Sequence, residues 1–274
     1  MIRDITIGQY YPAKSVLHRL DPRVKIVGTI LYIISLFLFK NILGYVITTL
    51  FLAAIIKSSK VPFSYIMKGM KPVMMILMIT LLFNLFLTRQ GDVLFHVWIF
   101  TITEGGLSNA VLMAIRLVYL IMGSSLMTFT TTPNELTDGI EKLLKPLNKI
   151  GVPVHEIAMM MSIALRFIPI LLEETDKIMK AQIARGADLE SGNILQKAKA
   201  MIPILVPLFV SAFRRANDLA MAMEARCYRG GDGRTKMKPL RYTSLDFRAY
   251  IVLIVYLVVV VVIGRFVPFH IWIF

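Results

Sequence analysis

Long apolar stretches are the feature that most restricts how this chain can fold. Five occur, at residues 26–39, 42–56, 73–87, 107–129 and 250–263. A helix that crosses the hydrocarbon core of a bilayer needs about 20 mostly apolar residues, with about 17 as the lower limit, so only the fourth stretch is comfortably long. The last is rich in β-branched residues, but an open strand at membrane depth would leave its backbone groups unpaired. We therefore predict five membrane-spanning helices.

Composition supports a membrane setting. Of the 274 residues 57% are hydrophobic, and 31 Lys and Arg stand against 17 Asp and Glu, for a formal net charge of +14. Because soluble domains contain only about 45–50% apolar residues, the excess needs the bilayer as a second solvent. A nucleic-acid-binding domain would show the charge without the apolar excess, and a disordered chain would not show that excess. The single cysteine, Cys227, excludes a disulfide framework.

The distribution of Lys and Arg predicts the orientation. With the N-terminus inside, the three cytoplasmic segments hold five, four and eighteen of these residues, the outer segments hold three, and Arg116 lies within a span. This is a strong positive-inside bias, so we predict a cytoplasmic N-terminus and an outer C-terminus. Residues 1–25 contain no apolar core typical of a signal peptide, so we expect the first span to target the chain.

These patterns predict four regions. They are a cytoplasmic amphipathic N-terminal segment (1–25), a four-helix membrane region (26–130), a cytoplasmic helical region (131–248), and a final transmembrane helix with a C-terminal tail (249–274). The predicted fold class is an all-α integral membrane protein with about five transmembrane helices and three cytoplasmic helices.

The three cytoplasmic helices are predicted from end signals. The first opens with a Thr-Pro-x-Glu capping sequence at 132–135, the second runs from about 154 to 185, and the third runs from about 194 to 226. Pro203 and Pro207 are expected to interrupt or bend the third helix.

Two of these helices contain runs that are apolar on nearly every side, at 158–165 and 201–210, each too short to span a bilayer. Such runs are expected to be buried. Two arrangements stay open: packing against each other and the membrane face of the same chain, or contact with a mobile partner, which a methionine-rich surface would suit.

A short sequence that occurs twice, each time at a predicted helix end, is the most informative motif. Ala184-Arg185-Gly186 ends the second cytoplasmic helix and Ala225-Arg226-Cys227 ends the third. A single arginine at a helix end is explained by the helix dipole. Two copies, each flanked by small residues that leave the guanidinium accessible, favour a partner with two similar pockets, such as a dimer, that binds arginine through carboxylates or carbonyls.

The sequence resembles the transmembrane T component of energy-coupling factor transporters, the vitamin-uptake branch of the ABC transporters. The resemblance rests on motifs spread from the N-terminus through the cytoplasmic helices. They are Leu20-Asp21-Pro22-Arg23-Val24-Lys25, Thr132-Pro133, Pro146, Ala164-Leu165-Arg166-Phe167-Ile168-Pro169, Ala181-Gln182-Ile183-Ala184-Arg185-Gly186 and the segment from Arg215 to Arg226. The paired Ala-Arg-Gly sequence is the specific part, and Cys227 departs from it where the family usually has glycine.

The resemblance implies a scaffold that catalyses nothing itself. Each arginine tip would dock in a groove of one of two cytoplasmic ATPase subunits, which hold ATP and Mg, and this chain would bind no cofactor directly. The apolar helix faces, with Met159, Met160, Leu205 and Phe209, would hold a membrane-embedded, substrate-binding S component. Closing of the ATPases would then reorient the S component for vitamin or micronutrient uptake.

The sequence contains no pattern that indicates an enzyme. The glycine-rich stretch at 230–236 has the wrong spacing for a phosphate-binding loop, the four histidines are scattered, and no nucleophile constellation is present. The alternative function is a self-contained secondary carrier or channel, but carriers tend to show repeated halves with broken helices, and here the spans are nearly free of ionisable groups. A nucleic-acid partner is not expected, because surface aromatics do not accompany the basic residues.

Two charged features have simple explanations. Arg116 at membrane depth is expected to snorkel or to pair with Asn84 or a carbonyl, with a contact to another subunit or a solute path as alternatives. The acidic residues Glu173, Glu174 and Asp176 precede Lys177 and Lys180 and are expected to form a solvated face with pairs inside the helix.

Overall fold

The computed structural model describes residues 10–39, 41–87, 93–97, 100–187, 193–231, 233 and 235–266. The chain divides into two compact units. Of the described residues, the large unit contains 10–139 and 240–266, and the small unit contains those from 140 to 239. Parts of the predicted N-terminal segment (1–9) and C-terminal tail (267–274) lie outside the described residues.

Helices form most of the large unit. They are α1 (Val16–Arg19), α2 (Pro22–Ser35), α3 (Ile42–Ser59), α4 (Phe63–Met70), α5 (Met74–Leu87), α6 (Glu104–Thr130), the start of α7 (Pro133–Leu144) and α10 (Ser244–Phe266). Helix α6 packs against α2, α3, α4 and α5, and α10 packs against α2 and α3. Between α5 and α6 a short antiparallel pair, β1 (Val93–Val97) and β2 (Phe100–Thr103), adds a hairpin to the predicted all-α fold.

Within the described residues, five helices are long and apolar enough to cross a membrane, in agreement with the predicted fold class. Three of them, α3, α6 and α10, contain predicted spans. The first predicted span is the shorter α2, of 14 residues. The third, predicted at 73–87, is α5, also of 14 residues. Helices α4 and α5 meet at 65° and would count as a sixth span if taken together. Pro72 lies in the turn between them, where it cannot donate a helical hydrogen bond.

The other two helices of sufficient length belong to the small unit. They are α8 (Val154–Ala184) and α9 (Ile194–Ala225), of 31 and 32 residues. Each is longer than the apolar run that the sequence analysis singled out in it. Helix α9 continues through Pro203 and Pro207, so the predicted interruption does not occur.

The core of the large unit is aromatic with buried hydroxyl groups. The rings of Phe51 and Tyr256 stack with centroids 3.9 Å apart. The Tyr256 hydroxyl lies within hydrogen-bond distance of Ser35 Oγ (2.9 Å) and Thr48 Oγ1 (3.3 Å), both fully buried. Gly123 on α6 lets that helix approach the Tyr32 ring, since a Cβ at this position would lie 2.2 Å from Tyr32 Cε1. The core therefore joins α2, α3, α6 and α10, and the hydroxyls of Ser35, Thr48 and Tyr256 satisfy one another within it.

Candidate functional site at two arginine helix ends

The first Ala-Arg-Gly sequence forms the C-terminal end of α8. Arg185 is the last residue with near-helical backbone angles, and Gly186 follows at φ +87°. The Gly186 amide donates to the Ile183 carbonyl (2.9 Å) and the Ala187 amide donates to the Gln182 carbonyl (3.0 Å). This is a Schellman motif, in which a left-handed residue, usually glycine, stops the helix and satisfies its last carbonyls.

The second sequence ends α9 in the same way. Arg226 is followed by Cys227 at φ +53°, one of two residues other than glycine with positive φ in the described part of the chain. The Cys227 amide donates to the Glu224 carbonyl (2.8 Å) and the Tyr228 amide donates to the Met223 carbonyl (3.1 Å). The two similar sequences therefore have the same backbone geometry, and Cys227 adopts the left-handed conformation that glycine adopts at position 186.

Both ends are open to a partner. Ala184, Arg185, Gly186 and their counterparts Ala225, Arg226 and Cys227 are all exposed. Among the described residues, no atom lies within 4 Å of a Cβ built at Gly186. Each guanidinium follows the last helical turn, near the carbonyl end of the helix, where the dipole favours a cation. The arrangement offers two similar planar cations suited to carboxylate or carbonyl acceptors.

Helices α8 and α9 pack as an antiparallel pair. Glu174 on α8 accepts hydrogen bonds from Ser211 Oγ and from Arg215 Nη2 (2.7 Å) and Nε (3.1 Å) on α9. Eight residues further along α8, Gln182 contacts Pro203, which lies earlier on α9. Residues later in α8 thus contact residues earlier in α9, which means that the helices are antiparallel. Their C-terminal ends, which carry the two arginines, therefore point in opposite directions.

The two arms of this pair have equal length. Arg185 comes 11 residues after Glu174, and Arg226 comes 11 residues after Arg215. At a rise of 1.5 Å per residue each arm is about 16 Å long, which places the two helix ends no more than about 35 Å apart. The Glu174–Arg215 ion pair lies midway between them.

This ion pair corrects one sequence expectation. The predicted solvated face with pairs inside the helix does not describe Glu174, because its carboxylate binds Ser211 and Arg215 of the neighbouring helix. The sequence did contain the two partners of this contact, an acidic pair at 173–174 on α8 and an arginine pair at 214–215 on α9. It does not show that these two helices are neighbours.

The apolar faces of α8 and α9 are largely uncovered in this chain. Met160, Leu205 and Phe209 are 58%, 52% and 64% exposed, and Met159 is half-buried. Among the described side chains of α9, Ile204 is the buried hydrophobic one. Packing of α8 and α9 against each other does not bury these runs, so their apolar area remains available to lipid or to another protein.

The Asp-Pro-Arg motif links the starts of two helices in the large unit. Asp21 caps α2 by accepting from the Arg23 amide (2.9 Å), and its carboxylate also binds the Arg23 guanidinium (2.7 Å). The Asp21 amide in turn donates to Asp246 Oδ1 (2.8 Å) on α10. Pro22 occupies the first position of α2, where its missing amide proton costs nothing. Burial raises the pKa of the Asp21 carboxyl, but hydrogen bonds from Arg23 outweigh this and hold that pKa below its usual value.

Asp246 is the partner that sequence reasoning missed. It is 1% exposed and its Oδ2 accepts from both the amide and the hydroxyl of Thr243 (2.7 Å each), which caps α10. The Arg23 guanidinium also lies 3.8 Å from the centre of the Tyr242 ring. The capping sequence that begins at Thr243 could have been found in the sequence. The pairing of Asp246 with Asp21, 225 positions away, could not.

A second network not foreseen from sequence holds the start of α8. Glu141 contacts His155 Nδ1 (3.1 Å) and accepts from Lys236, which follows the α9 end. Burial raises the pKa of the Glu141 carboxyl, but hydrogen bonds from Lys236 and His155 hold it below its usual value overall. Gly231 lies against the His155 ring, where a Cβ would approach to 2.4 Å. The chain after Arg226 is thus fixed back onto α7 and α8.

Arg116 binds a backbone carbonyl, one of the partners expected from sequence. Its Nη2 donates to the Phe39 carbonyl (3.2 Å), beyond the end of α2. Asn84 instead donates to the Thr80 carbonyl of its own helix. In the described part of the chain, no group of three or more His, Cys, Asp or Glu side chains could hold a metal ion.

Long apolar helices, two equivalent cationic helix ends and a large exposed apolar face are features of a multi-pass membrane protein that binds partners. Comparison with known proteins gives the family. The CbiQ family profile, described as cobalt transport protein, matches residues 13–237. The chain belongs to this family, which includes the transmembrane T components of energy-coupling factor transporters.

Several bacterial relatives are similar over almost their whole length. The energy-coupling factor transporter transmembrane protein EcfT of Clostridium kluyveri is 60% identical over 250 residues, covering 91% of this chain and 93% of the relative. The protein of the same name from Bacillus subtilis is 49% identical over 255 residues, covering 93% and 96%. That from Heliobacterium modesticaldum is 47% identical over 272 residues, covering 99% and 98%. All three are named as transmembrane components of transporters.

Proposed function

We propose that this chain is the scaffold that couples ATP hydrolysis by two cytoplasmic ATPase subunits to the reorientation of a substrate-binding S component during vitamin or micronutrient uptake. It acts by transmitting movement and carries out no catalysis itself. ATP and Mg are bound by the partner subunits.

The observation that carries the proposal is the equivalence of the two arginine ends. Arg185 and Arg226 occupy the same position in two Schellman motifs, on helices that run in opposite directions. A dimer of ATPases presents two similar grooves facing different directions, so it can accept one arginine in each. A planar guanidinium fits a groove with carboxylate or carbonyl acceptors in a way that a lysine would not.

The exposed apolar face supports the second partner. Met160, Leu205 and Phe209 lie on the two helices that carry the arginine ends, so a subunit bound there would be moved directly when the ends move. Exposed apolar patches of this kind mark interaction surfaces, and methionine adapts to more than one partner shape.

Charge reversal at the two ends tests the proposal. We expect the Arg185→Glu and Arg226→Glu double variant to lose co-purification with the ATPases, because each glutamate would face the acceptor groups of its groove. The matched control is Arg214→Glu, which reverses an exposed charge on α9 away from its end. A double variant that keeps a stable ATPase complex would contradict the docking assignment.

A further inference from the structure

The large unit contains a cavity of about 500 Å³ that the proposed coupling mechanism does not use. It lies among α1, α2, α3, α6 and α10, and its walls are mainly apolar, with Leu52, Leu126 and Leu253 among the lining residues. This volume is within the range of ligand-binding sites, about 300–1,000 Å³. The cavity follows α2 from Lys25 to Tyr32, which corresponds to about 10 Å along the helix axis.

Two cations line this cavity. Lys25 is 8% exposed, and its ammonium donates to the carbonyl oxygens of Thr130 (2.8 Å) and His18 (3.4 Å). Arg248, on the first part of α10, is exposed. Among the described residues that line the cavity, none is acidic.

The positive charge of Lys25 has no carboxylate partner within ion-pair distance in the described part of the chain. The carboxylates that act on it electrostatically are bound elsewhere: Asp21 by Arg23, and Asp246 by Thr243. Glu135 accepts from the Thr132 amide. Since a buried charge is costly unless it is paired, the site favours an anion beside Lys25.

We propose that the cavity binds one anionic glycerophospholipid, with an acyl chain between the apolar walls and the phosphate beside Lys25 and Arg248. The two cations lie near the N-terminal ends of α2 and α10, the ends that the charge distribution places on the cytoplasmic side. Anionic lipids are concentrated in that leaflet, and basic pockets between membrane helices bind their headgroups. A zwitterionic lipid offers the same chains without the net negative charge, so the site distinguishes the two classes.

Native mass spectrometry of the purified full-length chain tests this assignment. With equal amounts of phosphatidylglycerol and phosphatidylcholine added, we expect the chain to retain one phosphatidylglycerol in preference to phosphatidylcholine. Gly28→Leu should reduce this retention about tenfold, which is about 1.4 kcal/mol. The new side chain would enter the cavity, where the nearest atom to a Cβ at Gly28 is Leu253 Cδ1 at 4.0 Å.

A second pair of variants separates filling of the cavity from a general effect of added bulk. Ala54 lines the cavity and Ala53 does not, although both are exposed on α3. Ala54→Leu should lower lipid retention and Ala53→Leu should leave it unchanged. Arg248→Gln should remove the preference for phosphatidylglycerol. Equal retention of both lipids by the unaltered chain, or full retention by Gly28→Leu and Ala54→Leu, would overturn the proposal. The proposal would also be overturned if these variants lost a bound protein subunit and kept the lipid.

Discussion

Gln182 on α8 donates a hydrogen bond to the carbonyl oxygen of Pro203 on α9 (3.3 Å). This is the carbonyl that would accept from residue 207 in an uninterrupted helix, and residue 207 is a proline without an amide proton. A side chain of the neighbouring helix thus supplies the donor that the proline removes. The defect in α9 is thereby used to hold the two helices together.

A double-mutant cycle can measure this contact. We expect Gln182→Met to destabilise the small unit by about 1 kcal/mol, because the Pro203 carbonyl loses its donor. In the Pro207→Ala background the restored amide supplies that donor, so the same substitution should cost clearly less. The measurement is the free energy of unfolding in mixed detergent micelles. Equal costs in both backgrounds would show that the hydrogen bond does not depend on the proline.

The two left-handed helix ends predict opposite effects of two exchanges. Cys227→Gly should stabilise the chain by about 1 kcal/mol, because glycine adopts positive φ without the penalty of a Cβ. Gly186→Ala should destabilise it by about the same amount, because alanine at φ +87° carries the Cβ penalty and would displace no atom of the described residues. Thermal unfolding checks both, with Cys227→Ala as the control that removes the thiol but keeps a Cβ. Destabilisation by Cys227→Gly would contradict this explanation.

The link between α2 and α10 predicts a large effect at Asp246. Asp246→Ala removes three hydrogen-bond acceptor contacts at a site that is 1% exposed, so we expect a loss of about 3 kcal/mol. Asp218→Ala, at an exposed carboxylate on α9, is the matched control and should change stability by less than about 0.5 kcal/mol. The free energy of unfolding, measured for both variants, shows whether the Asp-Pro-Arg motif at 21–23 depends on its contact with Asp246.

Glu141 predicts a pH dependence of stability. Its pKa in the folded chain is below the value of 4.5 for the free side chain, so the unfolded chain binds more protons in this range. Stability from this group is therefore fully present above about pH 4.5 and is lost as the pH falls through the folded value. Unfolding measured between about pH 3 and 6 should show a steeper fall for the unaltered chain than for Glu141→Gln. Parallel curves would exclude this contribution.

The apolar face predicts selective loss of one partner. If the proposed complex forms as described, Met160→Asp or Leu205→Asp should release its S component, because each places a charge on the surface proposed to contact it. The ATPases should remain bound, since the arginine ends are unchanged. Met237→Asp, at a 98% exposed methionine, is the control and should retain both partners. Co-purification followed by mass identification reports both, and simultaneous loss of both would indicate misfolding instead.

Local signals predicted much of the helical structure. The Thr132–Glu135 capping sequence begins α7, and α8 and α9 end within one residue of the expected positions. These features depend on neighbours within a few residues, which a sequence displays directly. The bend at Pro72 was not predicted. A proline in a sequence does not show whether the helix bends, ends or has its free carbonyl satisfied by another hydrogen-bond donor.

The pairings between distant residues could not be predicted in this way. Asp21 with Asp246 and Glu174 with Arg215 depend on which helices become neighbours, and one sequence does not contain that information. The equivalence of the arginine ends was visible in sequence as two Ala-Arg pairs each followed by a small residue, but their opposite directions follow from the antiparallel packing. The donor that replaces the missing Pro207 amide likewise comes from another helix, at Gln182.

The equal arms on either side of the Glu174–Arg215 pair have a mechanical consequence. A rigid body that turns about its midpoint moves its two ends through equal distances, so the two ATPases of the proposed function would do equal work. Deleting one helical turn from a single arm would remove this balance, and the shorter side would then need a larger angle to complete the same stroke.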